Sequence, residues 1–107
     1  MYKVRTSLDD KEKAKLLANA LVSTHAAVSV HIKKVDSTYA WDGRIDNMTE
    51  YEVEAFCSVP NNAKLIIDDY HHYALPEFIY VEMKCSKEIE DWCNNWCKQF
   101  KKPKIIS

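Results

Sequence analysis

The spacing of apolar residues in this chain predicts an α+β fold that mixes strands and helices. Two segments carry apolar residues at helical spacing, and two long segments between them alternate apolar and polar residues as strands do. The dipeptide Asp42-Gly43, between the two long segments, is the strongest hairpin signal in the chain. The resulting order is strand-helix-strand-strand-helix-strand with an extra C-terminal helix, which is the split β-α-β pattern of ferredoxin-like folds.

The first two elements are predicted to be a short strand and an amphipathic helix. Residues 2–6 favour a strand, and residues 9–23 favour a helix with Ser7 or Asp9 as its N-cap. Apolar residues recur at helical spacing within this helix: Ala14, Leu17, Ala18, Leu21 and Val22. The helix therefore has one apolar face to bury against a sheet.

A long β-hairpin is predicted next, with its first strand over residues 26–41. The bulkier side chains of this strand change phase after Lys34, from Val28, Val30 and Ile32 to Val35, Ser37, Tyr39 and Trp41. Because no turn signal accompanies the change, we predict a β-bulge near Lys33-Lys34. The return strand is predicted over residues 48–59, with an acidic row on the face opposite its apolar residues: Glu50, Glu52 and Glu54.

The remaining elements are predicted to be shorter. Pro60 ends the hairpin, and residues 61–72 favour a short helix capped by asparagine. Residues 76–83 are rich in aromatic and β-branched side chains, which favours a strand. Residues 87–100 are predicted to form a last helix and residues 101–107 a tail. The apolar face of that helix comprises Ile89, Trp92, Cys93, Trp96 and Phe100.

Length and composition limit the class of protein. The 107 residues correspond to one domain, 1–107, and 47% of them are hydrophobic, which suffices for one core. The net charge of −1 gives no electrostatic reason to expect nucleic acid or an anionic membrane as a partner. The N-terminal residues lack the apolar core of a signal peptide, so we expect a cytoplasmic protein.

The predicted hairpin is too long for a compact domain of this size. Sixteen residues of strand would extend about 50 Å, whereas the radius of gyration of such a domain is about 13 Å. A bare two-stranded arm is marginally stable in water, and this one carries Tyr39 and Trp41 near its tip. We therefore expect the arm to lie on a neighbouring subunit.

Several stretches resemble the CutA family of divalent-cation tolerance proteins. "STYAWDGRID" resembles the family's S-x-Y-x-W-[ED]-G-x-[IL]-[ED] stretch, and "HHYALPEFI" resembles H-P-Y-x-x-P-E-[IL]-[IL], with His72 in place of the usual proline. "AAVSVHI" occupies the A-A-C-x-x-x-I position, with Val28 in place of the usual cysteine, and "IEDWC" resembles Y-x-D-W-[IL]. The likeness covers nearly the whole chain.

This resemblance implies a homotrimer of ferredoxin-like subunits, similar in build to PII signalling proteins, with hairpin arms wrapping their neighbours. It also implies a link to copper and other divalent metal ions. The leading hypothesis is a non-enzymatic role in metal tolerance, by binding of copper or another divalent ion. The alternative is a PII-like signalling or scaffold trimer that binds a small molecule or a partner protein in clefts between subunits. Because the motifs of common hydrolases and metalloproteases are missing, catalysis has little support.

His71, His72 and Glu77 are the first candidates for a metal site, because imidazole and carboxylate suit copper, nickel or zinc. The structural alternative is that His71 stabilises a helix C-terminus and that Pro76 sets the entry of a strand. Cys93 and Cys97 are weaker candidates. Their i, i+4 spacing places both thiols on one helix face, where they can equally pack as small apolar groups.

The aromatic residues of the hairpin suggest a ligand cleft or a subunit interface. Tyr39, Trp41, Tyr73 and Glu77 could line a pocket for a small organic molecule, or pack between subunits. The acidic row could collect cations, or pair with Lys33 or with a partner's arginines. The four cysteines are expected to be reduced, and the chain has one glycine, Gly43, so no phosphate loop and no organic cofactor are expected. A basic tail is expected to be solvated: Lys98, Lys101, Lys102 and Lys104.

Overall fold

The computed structural model describes residues 1–103 and contains four strands and three helices in the predicted order. The elements are β1 (Tyr2–Leu8), α1 (Lys11–Ser23), β2 (Ser29–Trp41), β3 (Arg44–Cys57), α2 (Pro60–Tyr70), β4 (Ile79–Glu82) and α3 (Lys87–Cys97). None of these helices is long and apolar enough to cross a lipid bilayer.

The four strands form one antiparallel sheet in the order β2-β3-β1-β4. β1 lies between β3 and β4. After β1 the chain crosses over through α1 to the edge strand β2, and the hairpin then brings β3 back beside β1. This strand order confirms the ferredoxin-like α+β arrangement predicted from the sequence. α3 is the predicted extra helix at the C-terminus.

The core lies between one face of the sheet and the helices. Every second residue of β1 and β3 points to this covered face, where Val4 is paired with Ala55 and Thr6 with Val53. The helices contribute fully buried side chains to the same cluster: Ala14, Leu17, Leu21, Ala63, Ile66 and Ile67. Burying a Leu or Ile side chain contributes about 1.5–3 kcal/mol, so this face accounts for most of the fold's apolar stabilisation.

The hairpin turn has the predicted geometry. Trp41 pairs with Arg44, which leaves Asp42 and Gly43 as the two loop residues, with φ values of 51° and 72°. Positive φ at both positions is the requirement of a type I′ turn, which twists in the same sense as the strands it joins. The turn closes the hairpin at once, so β3 begins at Arg44 rather than at the predicted residue 48.

The predicted β-bulge near Lys33-Lys34 is wrong. Pairing between β2 and β3 is continuous from Ser29 opposite Phe56 to Trp41 opposite Arg44. The backbone of β2 stays regular. Its bulky side chains move from one face of the sheet to the other because different faces are covered along the length of the hairpin. Up to Ile32 the apolar residues of β2 point towards the helices, and from Val35 onwards they point to the other face of the sheet.

The elements before the hairpin differ from prediction at their ends. β1 continues to Leu8, which pairs with Tyr51, so Ser7 belongs to the strand and cannot cap a helix. Asp10 is the N-cap of α1 instead, and its carboxylate accepts a hydrogen bond of 3.0 Å from the amide of Lys13. β2 begins at Ser29 rather than at residue 26, because residues 24–28 turn the chain out of α1.

The later elements also differ in extent. α2 begins at Pro60 after Val59, which offers no side-chain cap, so the predicted asparagine cap is wrong. β4 has four residues rather than the eight predicted, because the segment before it folds across the sheet.

α3 ends at Cys97 and docks through a narrower face than predicted. The ring of Trp96 stacks on that of His25 at 3.8 Å, and its Nε1 donates a hydrogen bond of 3.1 Å to the carbonyl of Val22. Cys93 and Cys97 are buried, whereas Ile89 and Trp92, predicted on the same apolar face, are exposed. The described part of the tail, residues 101–103, is exposed, and Lys104 lies outside the described residues.

Candidate functional site

The sheet face opposite the helices, here called the open face, carries the candidate site. Alternation along the strands places there Arg5 and Ser7 of β1, the acidic row of β3, and every second residue of β2 from Lys33 to Trp41. The segment of residues 71–78, between α2 and β4, folds over one end of this face. Sequence reasoning did not assign Arg5 or Ser7 to a site, although their alternation with Val4, Thr6 and Leu8 could have placed them on this face.

A cavity of about 710 Å³ lies between this segment and the hairpin. Its volume falls within the range of about 300–1,000 Å³ that is usual for small-molecule sites. All four residues predicted for a ligand cleft or interface contribute to its wall: Tyr39, Trp41, Tyr73 and Glu77. The other lining residues are Arg5, Ser7, Val35, Asp36, Ser37, Thr38, Met48, Glu50, Glu52, Ala74 and Leu75.

His71 fastens the segment to the end of β1. Its Nε2 lies 2.8 Å from the carbonyl oxygen of Ser7, and its Nδ1 lies 3.3 Å from the amide of Tyr73. A carbonyl accepts and an amide donates, so the ring is neutral with its proton on Nε2. Burial lowers the pKa of His71, which favours this neutral form.

Glu77 and His72 also have partners within the chain. Glu77 accepts hydrogen bonds from Arg5 Nε at 3.3 Å and from Ser7 Oγ at 3.4 Å. His72 Nε2 lies 3.2 Å from a carboxylate oxygen of Asp9. The three predicted metal ligands therefore lie in one segment, and each already contacts another group of the same chain.

Residues 1–103 contain no group of three or more His, Cys, Asp or Glu side chains arranged to hold a metal ion. The rings of His71 and His72 are 6.3 Å apart at their centroids. Metal binding by His71, His72 and Glu77 stays a prediction, and it requires the segment to exchange some of its present contacts for the ion.

Glu50 and Glu54 are the two buried acidic residues of the open face. Glu50 is 9% exposed, and Tyr73 donates a hydrogen bond of 3.0 Å to its Oε2. Burial, and then this hydrogen bond to Glu50, raise the pKa of Tyr73, so the phenol keeps its proton. The Glu50–Tyr73 contact links the hairpin to the segment that covers its end.

Glu54 has the lysine partner predicted for the acidic row. Lys33 Nζ lies 3.0 Å and Lys3 Nζ 3.7 Å from its carboxylate oxygens. A hydrogen bond with the neighbouring Glu52 carboxyl, followed by that from Lys33, lowers the pKa of Glu54 to about 2. The same hydrogen bond with Glu54, followed by burial, raises the pKa of Glu52.

The cysteines lie away from the open face. All four are free thiols, and Cys57, Cys93 and Cys97 are buried in the helix-side core. Burial raises the pKa of Cys57 to about 12 and also raises that of Cys93. Buried thiols pack as small apolar groups, so the packing alternative fits the buried Cys93 and Cys97.

Comparison with known proteins gives the same family as the sequence motifs. The model of the CutA1 divalent ion tolerance protein family matches residues 2–96. No curated protein sequence matches the chain at a significant level. The fold matches many solved structures.

Three of these structures illustrate the match. The CutA structure from Xylella fastidiosa has a TM-score of 0.84 at 26% identity and covers 90% of this chain and 96% of its own. The structure described as PII-like protein CutA from Nostoc, in apo form, has a TM-score of 0.84 at 26% identity, with 91% and 97% covered. The periplasmic divalent cation tolerance protein CutA from Archaeoglobus fulgidus has a TM-score of 0.85 at 21% identity, with 91% and 99% covered.

Proposed function

The chain belongs to the CutA1 divalent ion tolerance protein family, and on that premise we propose that it acts in divalent-cation tolerance as a homotrimer. The proposed role is binding of copper or another divalent ion without catalysis, in the cytoplasm. The proposed assembly rests on the exposure of side chains in the outer part of the hairpin, residues 36–49, here called the arm.

The large side chains of the arm stay partly exposed within residues 1–103. Tyr39, Trp41 and Ile45 are 38%, 46% and 76% exposed, although apolar side chains of this size usually find cover. A two-stranded ribbon is marginally stable in water by itself. Further copies of the chain, seated on the open face and the arm, would cover these residues, and this supports the proposed trimer.

The proposed metal site is the segment of residues 71–77. His71, His72 and Glu77 supply nitrogen and oxygen ligands, which favour Cu²⁺ over Cu⁺. Their present partners are a backbone carbonyl, Asp9 and Arg5, so an ion would have to compete with these contacts. We therefore expect a weak site that a second copy could complete.

Calorimetric titration with Cu²⁺ tests this role. The double variant His71→Ala, His72→Ala should lose Cu²⁺ binding and remain a trimer, whereas the double variant Cys93→Ser, Cys97→Ser should bind Cu²⁺ as the wild type does. Loss of binding in the cysteine variant, with binding kept in the histidine variant, would show that the site is assigned to the wrong residues. Binding in both would move the assignment to the acidic row.

A second candidate function is PII-like binding of a small molecule or partner in a cleft between subunits. It is favoured by the cavity lined by Tyr39, Trp41, Tyr73 and Glu77. The relative from Nostoc is itself described as a PII-like protein. The absence of Cu²⁺, Cu⁺ and Zn²⁺ binding in the calorimeter, in a chain that is nevertheless a trimer, would favour this function over metal tolerance.

A further inference from the structure

We propose that the divalent ion of the proposed function is held by His72 together with Asp9. His71 and Glu77 then position the segment of residues 71–78 and do not bind the ion. This inference rests on the proposed function, because it assigns metal binding to particular atoms. Asp9 is a new member of the site, since neither the sequence motifs nor the predicted set of ligands includes it.

Both ring nitrogens of His71 are engaged with the backbone. Its Nε2 donates to the carbonyl oxygen of Ser7 at 2.8 Å, and its Nδ1 accepts from the amide of Tyr73 at 3.3 Å. A metal ion needs the lone pair of a ring nitrogen, so an ion on either nitrogen would remove one of these hydrogen bonds. A partly buried backbone group would then lose its partner, which is costly. His71 is therefore better suited to fasten the segment to β1 than to hold an ion.

Glu77 is already neutralised by the chain. Arg5 Nε and Ser7 Oγ both lie close to its Oε1, at 3.3 and 3.4 Å. The guanidinium of Arg5 keeps its positive charge at every ordinary pH, so an ion bound to Glu77 would meet a like charge at short range. This carboxylate therefore also fastens the segment.

His72 and Asp9 differ from these two residues because each has the other as its partner. Nε2 of His72 lies 3.2 Å from Oδ1 of Asp9. Within residues 1–103, no lysine or arginine lies within 4.0 Å of this carboxylate. Imidazole nitrogen and carboxylate oxygen are both ligands of divalent transition metals. An ion would therefore exchange one exposed contact for bonds to both of its members.

The spacing and exposure of the pair also suit an ion. Metal–nitrogen and metal–oxygen bonds of about 2.0–2.2 Å, at angles of about 90–110°, place neighbouring ligand atoms about 2.8–3.6 Å apart. The observed separation of 3.2 Å falls in this range, and the two side chains are 42% and 39% exposed, which leaves room for water. Because residues 1–103 hold no metal-ligating group of three, water or a second copy would complete the coordination, and we expect a weak site.

The pair lies outside the cavity of the open face, whose wall includes neither residue. Asp9 follows β1 and His72 follows α2, so the two meet where the segment crosses the end of β1. His72 stands where the CutA family usually has proline. We therefore expect this site in this chain and not in relatives that carry proline at the position.

Calorimetric titration of the full chain with Cu²⁺ at neutral pH tests the assignment with two adjacent, identical changes. His72→Gln removes the exposed imidazole, whereas His71→Gln removes its neighbour and keeps an amide that can donate to the Ser7 carbonyl. Since changes around a metal ligand already weaken binding about 10–100-fold, His72→Gln should weaken Cu²⁺ binding at least about tenfold. His71→Gln should bind Cu²⁺ as the wild type does. The reverse result, or equal loss in both variants, would overturn the proposal.

Asp9→Asn tests the carboxylate, because the amide keeps the shape of the side chain and loses its charge. It should also weaken Cu²⁺ binding at least about tenfold. Glu12→Gln is the matched control: it removes the same charge three residues further on, from an exposed side chain of α1. The control should bind Cu²⁺ as the wild type does. Equal weakening in the two variants would reduce the effect to general attraction between charges and would overturn the proposal.

Pulsed electron paramagnetic resonance of the chain with Cu²⁺ gives a second readout. The signal of a coordinated imidazole should be present in the wild type and in His71→Gln, and missing in His72→Gln; a signal kept in His72→Gln would contradict the proposal. If the wild type binds Cu²⁺ and His72→Gln binds it equally well, this assignment alone fails. If the wild type binds no Cu²⁺, the proposed metal role and this assignment fail together.

Discussion

The two faces of the sheet are built from alternate residues of the same strands, yet they differ in how they are completed. On the covered face, Val4, Val53 and Ala55 are fully buried by the chain's own helices. On the open face, Tyr39 and Trp41 stay 38% and 46% exposed, and Glu50 is bonded to Tyr73 of the segment of residues 71–78. We infer from this difference that the covered face stabilises the fold of the single chain, whereas the open face is built to contact another molecule.

The largest expected effect comes from a cavity made on the covered face. Leu17→Ala should lower the free energy of unfolding by about 2–5 kcal/mol, because Leu17 is fully buried among the helices and strands. Val35→Ala, on the open face, should leave the far-ultraviolet circular dichroism unchanged and shift the assembly towards smaller species. Urea denaturation and sedimentation measure the two effects. If Val35→Ala lowers the free energy of unfolding as much as Leu17→Ala does and leaves the sedimentation mass unchanged, the two faces do not differ as proposed.

A smaller effect is expected at the tip of the arm. Gly43 has a φ of 72°, and a Cβ added there would meet no atom within 4 Å, so backbone strain alone opposes a side chain. Gly43→Val should cost about 1–2 kcal/mol, and weaken the trimer by distorting the arm.

Asp42→Asn is the control for Gly43→Val, since asparagine tolerates the left-handed conformation that Asp42 adopts with φ 51°. The thermal midpoint and the sedimentation mass of both variants report the result. An unchanged midpoint and mass for Gly43→Val would show that the arm makes no contribution to assembly.

The smallest expected effect is the pH dependence contributed by His71. Burial lowers its pKa, so the folded chain binds the neutral ring better than the charged one. This contribution is fully present above the unfolded pKa of about 6.5, and it is lost as the pH falls through the lower folded pKa. His71→Gln should therefore flatten the fall in stability from about pH 6.5 downwards. Urea midpoints that fall as steeply in the variant as in the wild type would contradict this.

Patterns that are local in sequence were predicted well. The alternation of Val53 and Ala55 with Glu52 and Glu54 placed both sets on their observed faces, and Asp42-Gly43 located the turn. The change of phase at Lys33-Lys34 was misinterpreted as a bulge. A change in which face is covered produces the same sequence pattern as an inserted residue, and only the pairing register separates them.

The candidate site was predicted only in part, because its contacts join residues far apart in the chain. Tyr39, Trp41, Tyr73 and Glu77 do share one cavity. The Glu77 contact with Arg5 and the Glu50 contact with Tyr73 depend on strand register and on the path of residues 71–78, neither of which has a local signature.

Sedimentation equilibrium of the wild-type chain at micromolar concentration tests the central claim most directly. If other copies complete the open face and the arm, the measured mass will be three times that of the 12.5 kDa chain. A mass equal to that of a single chain would contradict the account, because the aromatic arm and the open face would then be exposed in the native state.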